Sequence, residues 1–136
     1  MKRLVVWGLC FVLGACVSAE QYASVYANQR PPTAEERQAV LAQIRVTLFD
    51  PYSVRDATIS NVLAPSSVIT ASKNAKAVCV RLNAKNRFGA YVGLTYTMYK
   101  FSAEGALLAA DDTPIAQQEC ADARLGYMPF TELEAV

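Results

Sequence analysis

The stretch Ala75 to Lys85 constrains the fold more than any other part of the chain. Val78, Val80, Leu82 and Ala84 fall on one side of an extended strand, and Cys79, Arg81, Asn83 and Lys85 on the other. Such a strand needs an apolar layer against its valine face and hydrogen-bonding neighbours along its edges. Leu94 to Ser102, rich in threonine and tyrosine, supplies a second strand, and Arg55 to Leu63 a third. Ala103-Glu104-Gly105 reads as a hairpin turn, so Ala106 to Ala110 pairs back. Asp111 to Pro114 reads as loop, Val68-Ile69-Thr70 as a short strand or loop, and Ile115 to Cys120 as a last strand or extended segment.

The apolar layer comes from the segment before these strands. Thr33-Ala34-Glu35-Glu36 has the form of a capping box, in which the threonine hydroxyl and the second glutamate each satisfy an amide of the first turn. Val40, Leu41, Ile44 and Leu48 then recur at helical spacing. Asp50-Pro51 ends the helix, because a residue before proline is pushed out of helical geometry. A helix from about Ala34 to Phe49, followed by short antiparallel strands, defines an α+β fold. One N-terminal amphipathic helix packs on a small antiparallel sheet of about three to five strands.

The N-terminus follows a different logic. Met1-Lys2-Arg3 is positive, and Leu4 to Leu13 is an apolar run too short to span a bilayer. Leu13-Gly14-Ala15-Cys16 resembles the lipobox of bacterial lipoproteins. The resemblance implies a signal peptide over residues 1–15, cleavage before Cys16 and acyl chains on the Cys16 thiol, which hold the mature chain to a membrane. Val17 after the cysteine points to the outer rather than the inner membrane. A second reading stands beside it: Val17-Ser18-Ala19 resembles an ordinary signal-peptidase site, and cleavage after Ala19 releases a soluble periplasmic protein. Residues 16–32, polar and ending in Pro31-Pro32, read as a flexible tether of roughly 50 Å at full stretch. Tyr22 and Tyr26, four residues apart, read as exposed or interfacial tyrosines within it, with a partner-binding turn of helix as the alternative. Residues 33–136 then form a single domain.

Composition narrows the function classes. The chain of 136 residues has 13 basic and 12 acidic residues, and removal of Lys2 and Arg3 leaves 11 against 12. A near-neutral domain carries no electrostatic footprint for nucleic acid. Histidine is absent, which removes the commonest general base and a leading metal ligand. Asp111-Asp112 matches no calcium-loop spacing, and no nucleophile motif or phosphate-binding glycine loop is present. The expectation is a chain with no catalytic residues, no metal and no cofactor, hence not an enzyme. Cys10 belongs to the signal and Cys16 to the anchor, leaving Cys79 and Cys120. In an exported protein this pair reads as a disulfide, with a redox pair or partner thiols as alternatives. The closed loop would stabilise the fold by at most about 4 kcal/mol.

Val78-Cys79, then Asn83-Ala84-Lys85-Asn86, then Phe88-Gly89, Tyr91 and Gly93 form a segment similar to one in small exported proteins of Gram-negative bacteria. Those proteins also carry an upstream Leu-x-Asp-Pro-x-Ser, matched here by Leu48 to Ser53. Ala90 stands where that segment usually has its second glycine. The resemblance implies fold and compartment, and no activity. Arg81, Lys85, Arg87, Phe88 and Tyr91 set basic and aromatic groups close together and form the candidate binding set, toward an envelope protein or peptidoglycan. A solvated strand face and a hairpin whose aromatics cover the sheet edge account for them as well, and that is the favoured reading. The functional expectation is a membrane-anchored periplasmic structural or binding module. An inhibitor or adhesin-like protein acting on another protein is the alternative, and an enzyme with an unrecognised site the remotest.

Overall fold

A computed structural model describes residues 23–65 and 75–134. The signal segment, Cys16, the Val17-Ser18-Ala19 site, Tyr22 and Val68-Ile69-Thr70 lie outside the described residues. Helix α1 spans Ala34–Thr47, and the capping box is formed: Thr33 Oγ1 accepts from the Glu36 amide at 3.2 Å, and Glu36 Oε2 accepts from the Thr33 amide at 2.8 Å. Arg30 grips the same carboxylate with two hydrogen bonds, at 2.7 and 2.8 Å, which holds Glu36 below the usual carboxylate range. A short 3-10 turn, Pro51–Ser53, follows the helix.

Five strands form one antiparallel sheet: β1 Arg55–Ser60, β2 Lys76–Asn83, β3 Thr95–Phe101, β4 Leu107–Asp111 and β5 Tyr127–Pro129, in the spatial order β4-β3-β2-β1-β5. The α+β expectation holds. Val40, Leu41 and Ile44 of α1 pack on Ala57, Ile59, Val78, Val80, Leu82, Tyr99 and Phe101. Burial pushes the Tyr99 hydroxyl up to about 12. The hairpin at Ala103-Glu104-Gly105 forms, closed by a Ser102 amide to Ala106 carbonyl bond of 2.9 Å.

The opposite face of the sheet is also covered, which corrects two sequence expectations. Ile115 to Cys120 is not a strand. It lies in a second helix, α2, Pro114–Cys120, with proline at its first turn and the Thr113 hydroxyl accepting from the Ala116 amide at 3.4 Å. Residues 23–32 are not tether. Val25 and Tyr26 are buried with Leu63, Ala77, Cys79, Met98, Ala116, Cys120 and Leu125 in a second core. Tyr26, read as exposed, is 6% accessible and donates from its hydroxyl to the Glu119 carbonyl at 2.9 Å. The Ala64 amide donates to the Val25 carbonyl at 3.2 Å and the Val62 amide to the Arg30 carbonyl at 2.7 Å. Gln29 completes the weave, donating to the Arg124 carbonyl at 2.7 Å and accepting from the Gly126 amide at 3.0 Å. A polar segment is thus fixed by satisfying backbone groups that would otherwise be buried alone.

The disulfide joins Cys79 to Cys120 across this second core, with Cα atoms 5.6 Å apart and both residues fully buried. A third helix, α3, Thr131–Glu134, closes the other core, its Glu134 carboxylate accepting from the Ala57 amide. A Cys79→Ala, Cys120→Ala chain should lose about 2–4 kcal/mol of unfolding free energy. A urea midpoint equal to that of the oxidised parent would refute this.

Asp111, expected in a loop, instead ends edge strand β4, and Lys100 of β3 reaches its carboxylate at 2.5 Å. That hydrogen bond, aided by Thr113, lowers the Asp111 carboxyl from 3.8 to about 2. The lowered value stabilises the fold above pH about 4, and that contribution disappears as pH falls toward about 2. Asp111→Asn should therefore flatten the acid limb of a stability-against-pH curve. Asp122, held at about 2 by Arg124, accounts for part of the slope that remains.

Candidate functional site

One end of the sheet gathers the Leu48 to Ser53 and Asn83 to Gly93 segments. Asn86 builds the turn after β2. Its Oδ1 accepts from the Phe88 amide at 2.9 Å and the Ala90 amide at 3.2 Å, and its own amide donates to the Ala90 carbonyl at 2.9 Å. The turn needs one left-handed residue, and Gly89 supplies it at φ 76°. Ala90 has no positive φ, so an alanine fits beside Gly89 without strain. Lys85 and Tyr91 bridge the base of the loop. Asn83 Oδ1 accepts from the Gly93 amide at 3.0 Å.

Ser53 ties this loop to the end of α1. Its buried hydroxyl donates to the Asp50 carbonyl at 2.8 Å and accepts from the Lys85 amide at 2.8 Å. The Leu48 to Ser53 motif and the Asn83 to Gly93 motif are therefore two halves of one structural knot. The polar groups of Ser53, Asn83 and Asn86 are used to shape backbone.

The groups left on display are aromatic, aliphatic and cationic. Among the described residues, six of the nine exposed large apolar side chains belong to the segments that meet at this tip: Phe49, Tyr52, Phe88, Tyr91, Val92 and Leu94. Phe88, at the turn apex, is 88% exposed. The Arg55 guanidinium sits 3.5 Å from the Tyr91 ring centre, and Lys85 Nζ lies 5.5 Å from the same ring. Arg87 approaches Phe49 at 6.0 Å. These are cation–π distances, and they keep rings and charges together on one surface.

Of the residues expected from sequence, Lys85, Arg87, Phe88 and Tyr91 are brought together, and Arg81 is not. Arg81 lies 5.9 Å over Tyr127, which packs edge-on to Tyr96 with ring centres 6.3 Å apart. Burial first, and then Tyr96, raise the Tyr127 hydroxyl, with Arg81 opposing. Arg81 therefore belongs to the packed middle of the sheet. Phe49, Tyr52 and Arg55 were missed. Phe49 and Tyr52 stand off the helical stripe beside Asp50-Pro51, a visible signal of apolar residues with no core position.

Arg55 reaches the tip through a backbone irregularity. Strict alternation would place it on the core side with Ala57 and Ile59. A bulge between Arg55 and Thr58, with Asp56 at φ 56°, breaks that alternation and leaves Arg55 exposed.

Elsewhere, a shallow depression of about 90 Å³ lies between Gln43 and β4. Among the described residues no group of three or more His, Cys, Asp or Glu is placed to hold a metal ion, and no helix is long and apolar enough to cross a membrane.

The tip lies far from where the chain enters the fold. Val25 joins the sheet beside Leu63 and Ala77, and from Ala77 to Lys85 the strand runs about 26 Å. No family model matches the chain, and no curated protein or solved structure does so either.

Ser53→Ala removes a buried acceptor and leaves the Lys85 amide without its partner. It should cost about 1–3 kcal/mol and accelerate amide exchange at Lys85 and across residues 86–93. Unchanged exchange there would show that the knot is not what orders the tip.

Proposed function

We propose that this chain is a lipoprotein of the cell envelope, anchored through Cys16 and facing the periplasm, whose domain is a binding module rather than an enzyme. The concentration of exposed apolar side chains and cations on the tip carries the binding part. Exposed patches of this kind mark interaction surfaces, whereas isolated exposed apolar residues need no explanation. The lipobox-like Leu13 to Cys16 supports the anchor, and Val17 supports the outer membrane as its destination. The buried disulfide supports an oxidising compartment, where such bonds persist.

Cys16→Ser should move the chain from the detergent phase of fractionated cells into the soluble periplasmic fraction. Retention of the variant in the detergent phase would defeat the anchor. A photo-crosslinking residue at position 88 should form adducts in intact cells, while the same residue at Leu108, exposed on β4, should not. Equal labelling at the two positions would defeat the tip as the contact surface.

A further inference from the structure

We infer that the tip docks on an anionic lipid surface, namely the leaflet that holds the chain's own anchor. This rests on the reading of the tip as the contact surface and of Cys16 as the lipid site. Three observations support it.

The first is charge. Arg55, Lys85 and Arg87 form no ion pair with any described residue, although Asp50 and Asp56 stand at the same end of the fold. Arg30, Arg37, Lys100 and Arg124 are each held by a carboxylate. With three cations against two carboxylates the tip is net positive by one, and anionic headgroups complement that charge.

The second is the chemistry of the apolar groups. A sugar polymer asks for flat rings and free hydrogen-bonding side chains. Here the Asn83 and Asn86 carbonyl oxygens are occupied by backbone amides, and aliphatic Val92 and Leu94 stand beside the rings. Phe88, 88% exposed at the turn apex, suits insertion at an interface while Arg87 and Lys85, held against Phe49 and Tyr91, meet the headgroups.

The third is the length of chain between Cys16 and the described residues. These begin at residue 23, so six residues and seven Cα steps separate them from Cys16. They reach about 25 Å at full extension, not the roughly 50 Å of a tether ending at Pro32. That reach is close to the distance from the entry point to the tip, about 26 Å along β2. A domain kept this near its leaflet can lie along it, anchored at one end and inserted at the other. A lipid chain combined with a basic patch holds far better than one chain alone.

The natural probe is tryptophan. Trp7, the chain's single tryptophan, lies in the signal segment, so Phe88→Trp reports on the tip alone in a processed chain. The Cys16→Ser, Phe88→Trp chain, exported with an ordinary cleavable signal in place of residues 1–15, should show blue-shifted emission and co-sediment with vesicles of phosphatidylcholine and phosphatidylglycerol, and neither effect should occur with phosphatidylcholine alone. In the Cys16→Ser chain, added salt should weaken binding. Each of Arg55→Gln, Lys85→Gln and Arg87→Gln should reduce it about fivefold, and Phe88→Ser about tenfold. Leu108→Ser should not change it. Lipidated protein in anionic vesicles should insert residue 88 without clustering them. Clustering would place the tip on an apposed membrane and overturn the assignment to its own leaflet.

Absence of binding to anionic vesicles overturns the inference. So does retention on purified peptidoglycan, or crosslinking from position 88 to a protein in place of lipid, though both leave the binding-module reading standing. Failure of the Cys16 fractionation test with vesicle binding intact removes the anchor and its leaflet, and leaves lipid docking in place.

Discussion

The bond between Cys79 and Cys120 fastens a short helix to the face of the sheet that α1 leaves open. Seven residues are too few to hold a helix alone in water, so α2 exists as a helix because it is docked. Once docked, it gives two distant parts of the chain something to fold against. The Glu119 carbonyl receives the Tyr26 hydroxyl, and the Cys120 carbonyl receives the Tyr127 hydroxyl at 2.7 Å. The first contact recruits the segment before α1, and the second locates edge strand β5. β2 is thereby buried on both faces at its centre, which turns a two-layer design into a three-layer one. The region where the chain enters the domain is consequently among its better fixed parts.

What could be read from the sequence follows from the range of the forces involved. The capping box, the helical stripe and the alternation of β2 and β3 are local patterns whose meaning survives without tertiary context. α2 was misread because its seven residues contain too few apolar positions to set a period, and its identity depends on Cys79 far away in sequence. Residues 23–32 were misread for a related reason. Val25, Tyr26 and Pro32 are the apolar residues buried there, and the rest are held by backbone bonds and by Gln29, which no composition rule reveals. The disulfide was legible because an expected export signal and an even count of the remaining cysteines left few choices. In the candidate site, the loop half was legible as a basic and aromatic run. Phe49, Tyr52 and Arg55 were not, since they join that run only where the end of α1 and the start of β1 meet the end of β2.

The tip is informative because of how its polar atoms are used. A flexible exposed loop would lose ordering entropy on binding. Here Ser53, Asn83 and Asn86 have already fixed the backbone in the free protein. The rings are steadied in turn by the cations stacked on them. Arg55 and Lys85 share Tyr91, so the charges sit beside the rings and do not fold down onto a carboxylate. A surface ordered in this way would meet any partner with its apolar area and charge already arranged, which lowers the cost of association. The same arrangement explains why so much apolar surface stays exposed. Turning Phe88 inward would require breaking the Asn86 turn, and the core beneath is already filled by Val54, Leu82 and Ala84. The exposure is therefore imposed by the knot at Ser53 and Asn86, and the core has no vacancy that would relieve it.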